Sequence, residues 1–398
     1  MIKRPIYMQK LRDLQDKQLI KVITGIRRCG KSTLLKMFQS YLIEEGIPDE
    51  QIISINFENM DYSHLLNAES LYAYISKLIQ SDSMHYIFLD EIQLVKEFPR
   101  VVDSLFIKEN TDIYITGSNA DILSSELSTL LSGRYIEIKM LPYSFSEYLA
   151  ARGNASDLQQ KYNDYLQYGS FPYAVNFIDN PALADDYLQG ILNTVIVKDI
   201  SKRNNIHDLS SLEDVLRFLF DNIGSTCSYK KISDTLTSEG RKVTVPTVSS
   251  YIKALMESFI IYEAKRYDIK GRQYLKSLQK YYIADIGLRN SLLGNKGADI
   301  GHLLENIIYL ELLRRGNKVF IGKTYEYEVD FVALSGSNRV YYQVAATVRD
   351  SDVLDRELRP LRLVKDHFPK ILLTLDNDPD RVYDGIRVTN ALRFLTAE

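Results

Sequence analysis

The run Gly25-Ile26-Arg27-Arg28-Cys29-Gly30-Lys31-Ser32 restricts what this chain can fold into more than any other feature. It fits the pattern G-x-x-x-x-G-K-[ST], follows an apolar run over 19–24, and leads directly into helical periodicity over 32–45. Such a string has meaning only where a buried strand turns sharply into a helix. There the glycines let successive backbone N–H groups and the helix N-terminus converge on an anion. A second apolar run with strand character covers 51–57. A helix is expected over 68–81, and further strand-like runs lie at 86–89, 112–116 and 135–140. Strand and helix alternate throughout this half, which predicts an α/β fold with a doubly wound parallel sheet and a site at the carboxyl ends of its strands.

Each residue type in the loop has a task. Gly25, Ile26, Arg27, Arg28, Cys29, Gly30, Lys31, Ser32 and Thr33 form the expected phosphate cradle. Lys31 neutralises phosphate charge and Ser32 offers its hydroxyl to Mg²⁺, so the ligand indicated is ATP with Mg²⁺. The apolar strand His85-Tyr-Ile-Phe-Leu ends in the acidic pair Asp90 and Glu91. In a parallel sheet that end lies beside the loop, which suits Asp90 as a second Mg²⁺ ligand and Glu91 as the base that polarises an attacking water. A further strand runs into Gly117-Ser118-Asn119, from which Asn119 or Ser118 would reach between Glu91 and the terminal phosphate. Arg134 opens the next strand and is a candidate arginine finger acting across a subunit interface.

These motifs resemble a family. Val22 to Leu35, Phe88-Leu-Asp-Glu-Ile-Gln93, Thr116-Gly-Ser-Asn119 and Leu141-Pro-Tyr-Ser-Phe-Ser-Glu-Tyr148 resemble the AAA-type ATPases of bacterial and archaeal genomes. Gly169-Ser-Phe-Pro172, Lys198-Asp-Ile200, Tyr281-Tyr-Ile-Ala-Asp-Ile-Gly-Leu288, Glu305-Asn306 and Glu328-Val-Asp-Phe331 resemble the domain of unknown function fused to them. The resemblance implies nucleotide and Mg²⁺ roles for Lys31, Ser32, Asp90 and Glu91, and a homo-oligomer in which Arg134 acts in trans. It implies no substrate.

At 398 residues the chain exceeds one ordinary core, and the pattern changes near Pro142. The expected organisation is an ATPase core over 1–141, a helical connector over 142–209, a winged helix-turn-helix over 210–295, and a restriction-endonuclease-like α/β domain over 296–398. In the third segment, helical stretches at 212–222, 229–238 and 245–259 precede strand patterns at 260–267 and 280–284. Thr247, Ser249, Ser250 and Lys253 fall on the candidate recognition helix. Lys265, Arg266, Lys270, Arg272 and Lys276 fall on the candidate wing, with Lys280 closing the basic run. Such a surface would track a DNA backbone. The alternative is a nucleotide-dependent switch that assembles with a protein partner and has no role on DNA.

The last segment carries Glu305 on a helix and Asp330 on a strand, followed by Gln343 and Ala345 on the next strand. A nuclease of that fold wants a carboxylate and a lysine at the last two positions to hold a metal and activate water, so no cleavage is expected. Net charge is −3, which does not advertise a nucleic-acid binder at the level of the whole molecule. Cys29 and Cys227 are too few for a disulfide framework, and His64, His85, His207, His302 and His367 are scattered rather than clustered. No apolar run approaches the ~20 residues that span a bilayer, and the start lacks the apolar stretch of a signal peptide, so a cytoplasmic protein is expected.

Overall fold

The computed structural model describes residues 2–79, 83–123, 133–153, 157–204, 206–271, 273–294, 300–324 and 327–397. Two compact units emerge, one over Met1–Pro142 with Glu257–Phe259, the other over Tyr143–Met256 and Ile260–Glu398.

The first unit is built on a five-stranded, all-parallel sheet. Its strands are β1 (Ile20–Thr24), β2 (Ile52–Asn56), β3 (His85–Asp90), β4 (Thr111–Gly117) and β5 (Tyr135–Lys139), in the order β2-β3-β4-β1-β5. All residues of β1, β3 and β4 are buried, as expected of strands covered on both faces by crossover helices. One face packs Ile20, Val22, Ile87, Leu89, Ile113 and Ile115 against the helices Ala68–Leu78 and Phe98–Phe106. The Phe98–Phe106 helix and the opening helix Pro5–Leu14 are additions to the expected elements; Tyr7 and Leu11 fix the latter by burial.

Register sets the site. Thr24 pairs with Gly117, and Leu89 with Ile115, so Asp90 ends level with Thr116. The turn after β1, the end of β3 and the end of β4 therefore open on one edge. Arg134 lies at the other edge, because β5 runs parallel to β1 with Tyr135 opposite Ile20.

The second unit begins with the helices Phe145–Ala151, Leu158–Tyr168 and Pro181–Thr194. The last of these does not end as an α-helix: it widens into a π-helical stretch over Val195–Ser201. A nine-stranded sheet follows, formed by β6 (Thr226–Cys227), β7 (Ile261–Asp268), β8 (Gln273–Ile283), β9 (Lys318–Thr324), β10 (Tyr327–Ser335), β11 (Asn338–Ala345), β12 (Lys370–Thr374), β13 (Arg381–Tyr383) and β14 (Ile386–Asn390). Its order is β13-β14-β12-β11-β10-β9-β7-β8-β6. Segments 210–295 and 296–398 thus both contribute strands to one sheet, joined where β7 pairs in parallel with β9.

Two quoted motifs meet inside this unit. Asp285 caps the helix Ile286–Leu293, and its carboxylate also accepts bonds from the Ser170 N–H at 2.6 Å and the Ser170 hydroxyl at 2.9 Å. Gly169 has a φ of +75°, and a Cβ there would stand 2.1 Å from Asp285 Oδ1. The Gly-Ser-Phe-Pro and Ala-Asp-Ile-Gly stretches are therefore two halves of one buried clamp. No helix among the described residues is long and apolar enough to cross a membrane.

Candidate active site

The phosphate loop adopts backbone angles that its glycines are there to permit. Gly25 has a φ of +148°, and an added Cβ would stand 2.1 Å from the Met140 carbonyl oxygen. Gly30, at φ +106°, is the residue before the helix Lys31–Glu44 and leaves its first turn without a side-chain cap. The N–H groups of that turn remain directed at the site where an anion would complete them. Ile26 and Cys29 are buried and Arg27 is half-buried, whereas Arg28, at φ +67°, and Thr33 are exposed. Burial pushes the Cys29 thiol above its ordinary value, which disfavours the thiolate. Arg27 pairs with Glu58 at 3.0 Å.

Lys31 is buried and folds back over its own loop, donating to the Gly25 carbonyl at 3.0 Å and to the Ile26 carbonyl at 3.4 Å. Its ammonium stands 3.8 Å from Glu91 Oε1. Asp90 accepts from Asn56 Nδ2 at 2.8 Å and from the Thr116 hydroxyl at 2.5 Å, and Ser32 also hydrogen-bonds to it. Loss of water raises its pKa above the ordinary carboxylate value, and the hydrogen bonds from Thr116 and Ser32 only partly offset this.

Glu91 differs. Burial works to raise its pKa, but the charge of Lys31, the Gln93 side chain, the charge of Arg27 and the Ser118 hydroxyl together hold it below its ordinary value. Its Oε2 accepts from Gln93 Nε2 and from the Ser118 hydroxyl at 3.1 Å, and its N–H donates to Thr116 Oγ1 at 2.9 Å. The residue itself sits at φ +56°, a conformation that non-glycine residues adopt uncommonly and that recurs at functional sites.

The structure thus brings together Lys31, Ser32, Asp90, Glu91 and Ser118. Asn119 is buried at the end of β4, where its carbonyl accepts the Ile122 N–H. Arg134 is not brought to this loop. It pairs with Asp103 at 2.5 Å, lies over the Phe106 ring at 5.5 Å, and stays partly exposed at the far edge of the sheet. Thr116 and Gln93 stand in the motifs that carry the family resemblance but were given no role there, and Asn56, at the end of β2, was not singled out. A Ser hydroxyl beside a buried, uncharge-paired carboxylate is a hard oxygen set that suits Mg²⁺, and the uncapped helix turn suits phosphate.

The DNA candidates fare unevenly. Ser250 and Lys253 are exposed on the helix Val245–Glu257, Ser249 is half-buried, and the Thr247 hydroxyl is bonded to that of Thr244 at 2.8 Å. Lys265 and Lys270 are exposed, Lys265 lying 3.7 Å from Glu263. Arg266 turns toward Glu328 at 4.0 Å. Arg272 and the side chain of Lys276 lie outside the described residues.

Lys280 corrects the basic-run reading, because it is buried in the sheet rather than displayed on its surface. Its ammonium is bonded to Glu305 Oε1 at 3.0 Å and to Glu328 Oε1 at 2.8 Å, and Glu305 also accepts from the Tyr282 hydroxyl at 2.6 Å. Burial lowers a lysine, yet Glu305, Asp330 and Glu328 together hold this one above its ordinary value. Burial and the charge of Glu305 push Asp330 well up. Asp330 accepts the Val344 N–H at 2.8 Å, and Gln343 bridges the Asp330 N–H and Glu357. Among the described residues no group of three or more His, Cys, Asp or Glu is arranged to hold a metal ion.

Comparison with known proteins agrees with the first unit's geometry. Residues 17–149 match the model of a family described as an AAA domain, and residues 159–299 match a domain of unknown function, DUF8612. An uncharacterized protein of Haemophilus influenzae is 41% identical over 399 residues, covering 99% of this chain and 98% of that one. The uncharacterized protein MJ1544 of Methanocaldococcus jannaschii is 28% identical over 386 residues, covering 92% of this chain and 82% of that one. The Walker-type ATPase paby2304 of Pyrococcus abyssi is similar in fold, with a TM-score of 0.51 and 16% identity over 73% of this chain and 96% of that one. With identity running along its whole length and an AAA domain over the residues that build the phosphate loop, the chain belongs to the AAA-type P-loop ATPases that carry a C-terminal domain of unknown function.

Proposed function

We propose that this ATPase binds Mg²⁺·ATP on Gly25–Thr33 and Asp90, hydrolyses it with Glu91 as the water-polarising base, and couples turnover to contact with DNA. The observation that carries the hydrolytic reading is the environment of Glu91. Its carboxylate is kept ionised beside Lys31 and is aimed by Ser118 and Gln93, at the mouth of a loop whose N–H groups await an anion. Bound Mg²⁺ would supply charge neutralisation for the phosphates, held by Ser32 and Asp90. Lys31 would exchange its loop carbonyls for phosphate oxygens. Glu91 would accept the proton of the attacking water, and Asn119 would lie beside its path. For Arg134 the reading is a role toward a neighbouring subunit, consistent with its partial exposure and its distance from the loop of its own chain.

DNA contact is supported by the exposed Ser250, Lys253, Lys265 and Lys270. A specific observation favours the second reading, a nucleotide-dependent switch acting on a protein partner: Arg266 and Lys280 face Glu328, which removes two cations from the expected wing surface. We expect no strand cleavage at Glu305 and Asp330, because Gln343 and Ala345 stand where a carboxylate and a lysine are needed and Glu305 is already paired with Lys280. Steady-state hydrolysis without DNA and with single-stranded, duplex and branched DNA, at two salt concentrations, separates these readings. DNA coupling predicts stimulation by one form that fades as salt rises. Turnover indifferent to every DNA form leaves the protein-partner switch.

A further inference from the structure

The phosphate loop is held from behind by a residue near the start of the chain. The Arg4 guanidinium donates to the Cys29 carbonyl at 3.1 Å, to the Leu141 carbonyl at 2.7 Å and to the Pro142 carbonyl at 3.4 Å. Arg4 is 3% exposed and lies over the Tyr7 ring at 4.9 Å, and the Tyr7 hydroxyl accepts the Leu141 N–H at 3.0 Å. The same segment walls the loop at its other end, where Gly25 is pressed against the Met140 carbonyl. Residues 140–142 therefore back the loop at both ends, directly at Gly25 and through Arg4 at Cys29.

The chemistry follows from the peptide plane. The carbonyl of Cys29 and the N–H of Gly30 belong to one trans peptide group and point in opposite directions. A cation clamped on that carbonyl from outside fixes the N–H toward the concave side of the loop, where the phosphates of a nucleotide are cradled. It also polarises the peptide, which makes the N–H a better donor. We infer that Arg4 is a positioning residue for nucleotide binding, acting through the Cys29–Gly30 peptide to aim the Gly30 N–H at the β-phosphate. The inference rests on the reading of Gly25–Thr33 as an ATP site and adds a residue to which no loop motif points.

The test is calorimetric titration of Mg²⁺·ADP into the full chain as wild type, Arg4→Met and Arg4→Lys, with AMP affinity measured by competition and melting temperature measured without nucleotide. Methionine keeps an unbranched stem without the charge, and lysine keeps the charge without the fork that spans separate carbonyls. ADP affinity should fall about 10- to 100-fold in Arg4→Met and by a smaller factor in Arg4→Lys, while AMP affinity, which uses no β-phosphate, stays within about 2-fold. A folded Arg4→Met variant that binds ADP like wild type overturns the inference. So does a loss shared equally by ADP and AMP, which is what general loosening of the fold produces. Wild type that binds neither ADP nor ATP defeats the reading of the loop itself, a separate outcome.

Discussion

The Thr116 hydroxyl donates to Asp90 Oδ1 at 2.5 Å while accepting the Glu91 N–H at 2.9 Å, so one side chain on β4 ties the Asp90 carboxylate at the end of β3 to the Glu91 backbone just past it. Replacement by valine keeps the shape and removes both bonds, leaving a buried N–H and a buried carboxylate oxygen short of partners. Thr116→Val should therefore lower stability by roughly 1–3 kcal/mol and turnover by roughly 10- to 100-fold. Denaturant unfolding and steady-state hydrolysis check the two halves of this expectation.

Asp90 and Glu91 are adjacent yet shifted in opposite directions, Asp90 raised by burial and Glu91 held down chiefly by Lys31 against its own burial. If Asp90 holds Mg²⁺, the acid limb of kcat/KM should move to lower pH as Mg²⁺ is increased, because metal and proton compete for that carboxylate. A limb that ignores Mg²⁺ concentration would assign it elsewhere. The stability terms have opposite signs. The contribution of Asp90 is present at low pH and is lost as pH rises through its raised folded value. That of Glu91 is present above its unfolded value and is lost as pH falls through its depressed folded value.

Gly25→Ala tests the wall behind the loop. A methyl group would stand 2.1 Å from the Met140 carbonyl in a backbone conformation that disfavours any side chain. The strand ends must separate or the loop must leave its path. The expected outcome is loss of nucleotide binding together with destabilisation on the order of 3 kcal/mol, read by titration and by melting.

In the second unit, Lys280→Met removes the ammonium that Glu305 and Glu328 share. Breaking a buried pair from one side costs about 3–5 kcal/mol, since the remaining carboxylates lose their counter-charge. The double substitution Lys280→Met with Glu305→Gln should recover a measurable part of that loss, because it also removes a buried charge. Equal stability of the single and double variants would mean that Glu305 does not depend on Lys280.

What could be read from the sequence, and what could not, divides along a physical line. The loop was legible because its backbone demands glycine at Gly25 and Gly30, and the acidic pair because a strand of apolar residues ends on it. Those are local requirements written into consecutive residues. Arg4 was invisible: its carbonyl partners at Leu141 and Pro142 are distant in sequence, and a carbonyl carries no side-chain signature. Lys280 was misplaced for the same reason, since a lysine in a basic run looks like a surface residue until the sheet sets it against Glu305 and Glu328. The continuity of β7 and β9 was hidden as well, because periodicity identifies strands without saying which strands pair. Arg134 opens β5 as expected, and parallel pairing puts the opening of that strand at the edge away from its own chain's loop.

In the mechanism proposed, Glu91 performs the chemical step and the loop binds nucleotide without it. The most direct measurement is Mg²⁺·ATP affinity and turnover in wild type and Glu91→Gln, side by side. Affinity should stay within a few-fold of wild type and turnover should fall by at least about 100-fold, because the amide keeps the size of the side chain and cannot take the proton of water. A Glu91→Gln enzyme that hydrolyses ATP at the wild-type rate, or a wild type that binds ATP and never turns it over, would contradict it.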